Sequence, residues 1–292
     1  MSGSSGNCPR GSAVRIAVVQ TLDSPPDMMA ALRAGLARLQ EAKVADVDLV
    51  VFPELFLGGY YLDQAMVRRA SEARASLARL QAAVDQLRVS CVVGVPDLRD
   101  GVLFDAVAIL RPDRQPGRYA KTHLFRTEKE LFTPGSSLWT GEIADWQCGV
   151  LVCYEIAFPE VARALALSGA RLLIVPAAFS RKRLRIWQIA TIARAIENGC
   201  YLAAAGQAGG SGAAEFAGHS RVVDPAGNVL ADAGDRAEML IVELRPRLVD
   251  EVRAGRPDSH AGLADRRPEL YGALTESRDG PPRDGPGREP RR

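Results

Sequence analysis

Short apolar, β-branched runs alternate along this chain with alanine-rich amphipathic stretches, the pattern of an α/β or layered α+β fold. Strands are predicted over Arg15–Gln20, Leu49–Phe52, Cys91–Pro96, Val102–Leu110, Gly149–Cys153, Leu172–Pro176, Tyr201–Ala205, Ser220–Val223 and Met239–Val242. Helices are predicted over Asp27–Ala45, Ser71–Leu87, Pro159–Ser168 and Leu184–Asn198. In the first of these Leu32, Leu36 and Leu39 fall on one stripe while Arg33, Arg38 and Glu41 lie away from it, so the helix should pack on a sheet along its leucines. The segment Asp224-Pro225-Ala226-Gly227-Asn228, set between two strand-like runs, reads as a hairpin turn. The pattern fails at both ends: residues 1–13 are Gly/Ser-rich, and residues 273–292 end in SRDGPPRDGPGREPRR. Neither segment has apolar area to bury, and both are predicted to be disordered tails. No linker or repeat interrupts what lies between, so residues 14–272 read as one domain.

With 292 residues, 47% of them hydrophobic, the chain can bury a large core. Its 37 basic and 35 acidic residues leave a formal charge of +2, which gives no electrostatic reason to expect nucleic acid or a membrane surface as partner. Lysine is rare among the basic residues: Lys43, Lys121, Lys129 and Lys182 are exceptions in an arginine-rich composition. The cysteines, Cys8, Cys91, Cys148, Cys153 and Cys200, are scattered, odd in number and without a C-x-x-C pair, and no secretory leader precedes them, so no disulfide framework is expected. His123, His219 and His260 stand apart from the cysteines, which leaves a structural zinc site without support. No apolar stretch approaches the roughly 20 residues that span a bilayer, and the expected location is the cytoplasm.

Three residues stand at the carboxyl ends of apolar runs, where α/β folds place reactive groups. Glu54 follows Leu-Val-Val-Phe-Pro; a carboxylate desolvated there is a candidate general base, and equally a strand-end acid paired with an arginine or a helix terminus. Lys121 lies in Tyr119-Ala120-Lys121-Thr122-His123-Leu124-Phe125, where it reads either as a fixed cation for an oxyanion or as an ordinary salt-bridged lysine. The neighbouring His123 reads as structural. Cys153 sits where a strand turns into a helix opened by Phe158-Pro159-Glu160, a bend that exposes a thiol beside backbone N–H groups; a lone cysteine after Val-Leu-Val also reads as a small buried hydrophobe. No nucleotide fingerprint is present, since Gly209-Gly210-Ser211-Gly212 lacks both the lysine and the helix start.

Taken together, F-P-E-L-F at 52–56, Y-x-K-T-H-L-F at 119–125 and V-L-V-C-Y-E-x-x-F-P-E at 150–160 resemble the nitrilase superfamily, the carbon–nitrogen hydrolases, in order, spacing and flanking residues. The resemblance continues through Phe132-Thr133-Pro134-Gly135, Val175-Pro176-Ala177-Ala178-Phe179, Arg194-Ala195-Ile196-Glu197-Asn198, Gly218-His219-Ser220 and Arg266-Arg267-Pro268-Glu269-Leu270-Tyr271, covering roughly residues 14–272. It implies a four-layer αββα sandwich that associates as a homodimer or higher homo-oligomer, with Arg266–Tyr271 as an interface element, and it implies no cofactor or metal. It also implies the roles: Glu54 as general base, Lys121 as the stabiliser of the tetrahedral intermediate, Cys153 as nucleophile, and the Tyr154 N–H as second oxyanion donor. Glu128 matches the second glutamate that orients Lys121 and water, with Glu130 as runner-up.

Relatives that hydrolyse nitriles usually carry Trp after the cysteine; Tyr154 resembles the amidase and carbamoylase branches instead. Branches with acidic substrates often carry an arginine three or four residues after the cysteine, where this chain has Ile156 and Ala157, so a small neutral amide is expected. Tyr60, Phe179 and Trp187 are the expected pocket lining. Arg181-Lys182-Arg183 is either a substitute anchor or a solvated charge run. Gln207 stands where relatives often have Asn. The competing readings are an N-carbamoyl hydrolase, a nitrilase and an inactive scaffold of the same fold.

Overall fold

The computed structural model describes residues 12–22, 27–211, 214–257, 259 and 262–275. Cys8, His260, Gly212 and most of both predicted tails lie outside the described residues. Two six-stranded sheets dominate. The first contains β1 (Val14–Gln20), β2 (Leu49–Val51), β3 (Ser90–Arg99), β4 (Val102–Leu110), β5 (Gly117–Ala120) and, at its far edge, β14 (Glu238–Leu244), in the order β14-β1-β2-β3-β4-β5. The second contains β6 (Trp139–Ile143), β7 (Trp146–Val150), β8 (Leu172–Pro176), β9 (Tyr201–Ala205), β12 (Arg221–Val223) and β13 (Val229–Asp232), in the order β13-β12-β9-β8-β7-β6. A small hairpin, β10 (Ala208–Ser211) with β11 (Ala214–Ala217), stands apart.

Strand alternation builds the layers. On the first sheet Ile16, Val18, Leu49, Val51, Val92, Val107 and Ile109 point one way, into a core shared with the second sheet. Their neighbours Ala17, Val19, Val50, Cys91, Val93 and Ala108 point the other way, against helices α1 (Met28–Val44) and α2 (Met66–Leu87). Helices α4 (Pro159–Leu167) and α5 (Leu184–Ile196) pack with the second sheet, completing an αββα sandwich. The central strands of each sheet, β1-β2-β3 and β7-β8-β9, run parallel, so their carboxyl ends converge on one region between the sheets.

Local chemistry sets the element borders. Asp27 caps α1, its Oδ1 accepting from Met29 N at 2.9 Å and Ala30 N at 3.1 Å. Leu32 and Leu39 are buried and Leu36 is half-buried, as the stripe requires. The Asp224 carboxylate accepts from the Ala226 and Asn228 amides, closing the turn between β12 and β13. The strand expected over Gly149–Cys153 ends at Val150, and Cys153 opens a single 3-10 turn, Cys153–Ala157, before α4 begins at Pro159. Strands β5, β6, β10 and β11, the short helix α3 (Glu128–Leu131) and helix α6 (Pro246–Arg253) lie outside the predicted elements, and β13 is the second of the two runs that flank the predicted hairpin turn. Leu270 and Tyr271 of the expected interface segment are exposed. Among the described residues no helix is long and apolar enough to cross a membrane.

Candidate active site

Glu54 lies just beyond β2, Lys121 immediately after β5, Glu128 at the start of α3 and Cys153 just beyond β7. One sheet therefore presents Glu54 and Lys121, and the other presents the thiol. Two glycines permit the close approach. A Cβ on Gly94 would stand 2.4 Å from Pro53 O and Leu55 N, so only glycine lets β3 run under the Glu54 loop. A Cβ on Gly135 would stand 2.2 Å from Ala120 O, and the Gly135 amide instead donates to Lys121 O at 2.9 Å. Leu55 and Cys153 both adopt the left-handed region, with φ of 46° and 49°, strain that their surroundings must hold in place.

The Lys121 ammonium is fully buried and sits among three carboxylates: Glu54 Oε1 at 2.5 Å, Glu128 Oε2 at 2.8 Å and Asp105 Oδ2 at 3.3 Å. Oxygens of these acids lie within 4.8 Å of one another, the spacing of a cation site, and the ammonium occupies it. The other Glu54 oxygen accepts from Ala178 N at 2.7 Å, just beyond β8, and Gln207 donates to the Glu54 carbonyl at 3.0 Å. Glu128 is fixed by Tyr60 OH at 2.6 Å and Phe125 N at 2.7 Å. Glu130 is exposed and has no part in this cluster.

Charge and burial set the protonation. Burial, then the neighbouring Glu54 carboxylate, pushes the Cys153 thiol well above its ordinary range despite Lys121, so the cysteine rests as a thiol. Burial would discharge Lys121, but the carboxylates around it outweigh that and raise it. Burial likewise raises Asp105 and Glu128, with Lys121 opposing.

A second buried acid, Glu155, ties the thiol turn to the lysine segment. Its carboxylate accepts from Val152 N at 2.6 Å, Thr122 N at 2.7 Å, Thr122 Oγ1 at 2.5 Å and Tyr119 OH at 2.8 Å. Burial alone would raise it; those hydrogen bonds and His123 pull it below its ordinary value. His123 packs on Phe158, the ring centres 4.2 Å apart, with its Nδ1 2.8 Å from Thr122 Oγ1. Phe179 is buried beside the site, whereas Trp187, expected to line the pocket, is wholly buried behind it: its indole donates to His219 O at 2.9 Å and its ring backs Phe179 at 5.0 Å. A cleft of about 440 Å³, lined by residues including Thr122, His123, Lys129, Tyr154 and Phe158, opens beside the turn that carries Cys153. Asp105, Glu155 and the Gln207 contact escaped the sequence reading. An aspartate inside Val102–Leu110, an otherwise apolar run, was the available signal for the first.

The αββα sandwich thus closes buried carboxylates, a lysine and a thiol between its sheets, the parts of a hydrolase. The carbon–nitrogen hydrolase family model matches residues 15–254. A protein named "Hydrolase in pqqF 5'region" from Pseudomonas protegens is 34% identical over 273 residues, covering 90% of this chain and 92% of its own. An (R)-stereoselective amidase from Pseudomonas sp. is 35% identical over 237 residues, covering 80% and 85%. The crystal structure of an amidase from Nesterenkonia sp. superposes with a TM-score of 0.80 at 30% identity, covering 93% of this chain and 100% of that one. A variant of the Nesterenkonia amidase carries the acetamide moiety of fluoroacetamide, covalently added at its active-site cysteine. This chain belongs to the carbon–nitrogen hydrolases of the nitrilase superfamily and is an amidohydrolase of that family.

Proposed function

We propose that the chain hydrolyses the C–N bond of a small linear amide through a thioester on Cys153, releasing ammonia. The convergence of Glu54, Lys121, Glu128 and Cys153 on one buried point carries this reading. Glu54 removes the thiol proton as sulfur attacks the amide carbon, and Lys121 and the Tyr154 N–H hold the oxyanion. Glu54 then gives its proton to the departing nitrogen, the C–N bond breaks, and ammonia leaves behind a thioester. Water, oriented by Glu128 and deprotonated by Glu54, adds to the thioester; the C–S bond breaks, the sulfur regains its proton and the carboxylic acid is released. Because the resting cysteine is a thiol, activation occurs at the moment of attack.

Support comes from Tyr154 after the nucleophile and from the amidases among the relatives. The test is ammonia release from a panel of aliphatic amides, aromatic amides, N-carbamoyl compounds and a nitrile. Amides are expected to turn over, and Cys153→Ala is expected to abolish turnover while its circular dichroism stays that of the parent. Carbon dioxide appearing with the ammonia would reassign the enzyme to carbamoyl substrates. Amidase activity surviving in Cys153→Ala would overturn the mechanism.

A further inference from the structure

The basic run Arg181-Lys182-Arg183 resolves into three unlike environments. Arg181 is tied to Asp235 on the surface, and Lys182 is exposed. Arg183 is half-buried and makes no ion pair among the described residues. Its guanidinium carbon lies 5.0 Å from the Phe125 ring centre, 5.5 Å from that of Tyr154 and 5.5 Å from that of Phe179.

These three rings locate the guanidinium at the site. The Phe125 amide binds Glu128, Tyr154 directly follows Cys153, and Phe179 directly follows Ala178, whose amide binds Glu54. Aromatic faces stabilise a guanidinium by cation–π attraction without using its N–H groups, so the fork remains available for a planar bidentate acceptor. Two further cations without ion pairs among the described residues flank the same rings: Arg126, 5.2 Å from the Phe125 ring centre, and Lys129, which lines the cleft with Tyr154. A mouth so charged draws in anions.

We propose that Arg183 anchors a carboxylate at the far end of the substrate, so that the enzyme acts on monoamides of dicarboxylic acids or similar acidic amides. The proposal rests on the amidase reading of the site. A neutral amide was expected because Ile156 and Ala157 leave no guanidinium on the nucleophile turn; Arg183 supplies one from the segment leading into α5.

The test compares monoamides of succinic, glutaric and adipic acids with the corresponding neutral diamides, in the full chain and in Arg183→Met, which keeps length and ring contact, and Arg183→Lys. The parent is expected to prefer the monoamides in kcat/KM. Arg183→Met should reduce the monoamide-to-diamide ratio at least about tenfold, the low end for a charged hydrogen bond, chiefly through KM. Arg183→Lys should fall between the two. A ratio unmoved by Arg183→Met, or a parent that prefers diamides, would overturn the assignment. Calorimetric titration of Cys153→Ala with glutaric monoamide and diamide, with and without Arg183→Met, separates the two readings. If no amide is hydrolysed, the amidase reading fails, and this binding difference still decides the role of Arg183.

Discussion

Around Lys121 the charges cannot all be present at once: three buried carboxylates share one ammonium, and a site so deeply buried does not hold two uncompensated negative charges. Asp105 is the acid that yields. It makes the longest contact to Nζ, and burial, the neighbouring Glu54 and Glu128 carboxylates and a hydrogen bond shared with Glu54 raise it well above its ordinary value against the pull of Lys121. A neutral Asp105 leaves Lys121 paired with two acids and free to turn its third N–H toward an oxyanion. Infrared difference spectra of the parent and Asp105→Asn at neutral pH should therefore contain the carbonyl stretch of a protonated carboxylic acid, present in the parent and missing in the variant. Asn, neutral and of the same shape, should support most of the turnover, whereas Asp105→Ala should lower kcat by about 10²-fold because the lysine loses its seat. Carboxylate bands alone in the parent, or equal losses in Asn and Ala, would reject a protonated Asp105. The aspartate stands out in the apolar run Val102–Leu110, but its partner is not legible there: strand alternation puts it on the face of Val107 and Ile109, opposite a lysine just beyond β5.

At the scale of elements, the long runs with a single period were readable. Val102–Leu110, Leu172–Pro176 and Tyr201–Ala205 fall at the borders predicted, because each is a near-continuous apolar segment ended by a turn or a site loop. Strands β5, β10 and β11 were not readable: each has four residues, and tertiary pairing forms them more than their own pattern does. Glu155 belongs to the same category, since its meaning comes from joining two segments remote in sequence. It binds the turn carrying Cys153 to the segment carrying Lys121. Its folded-state value is depressed, so it contributes stability that is present above its ordinary value of 4.5 and is lost as pH falls through the lower, folded-state value. Glu155→Gln should lower the melting temperature at neutral pH, with each buried donor left unpaired costing about 1–3 kcal/mol. It should also flatten the acid side of the melting curve plotted against pH. A variant whose acid limb matches the parent's would show that Glu155 is not the group that titrates there.

At the scale of the whole molecule, neither sheet contains a working site. Glu54 and Lys121 come from the first and Cys153 and the Ala178 amide from the second, so the distance from the Glu54 carboxylate to the thiol is set by the apolar layer between them. That layer includes Ile16, Val18, Val51 and Val107 on one side and Val150 and Ile174 on the other. The layers outside the sheets carry no such constraint: Leu39 packs α1 on the outer face, remote in function from the site. Ile16 and Leu39 are both wholly buried, and truncating either to Ala should cost about 2–5 kcal/mol of stability. Their effects on turnover should differ. Ile16→Ala thins the layer that spaces the sheets, and a displacement near 1 Å between Glu54 and Cys153 is enough, on the proposed mechanism, to lower kcat by about 10²-fold. Leu39→Ala weakens the fold without moving one sheet against the other and should leave kcat within a few-fold of the parent at temperatures where both variants are folded. Measuring kcat and unfolding free energy on the pair separates the two effects: parallel losses in kcat would mean that the sheets are positioned by the outer helices as much as by the core between them.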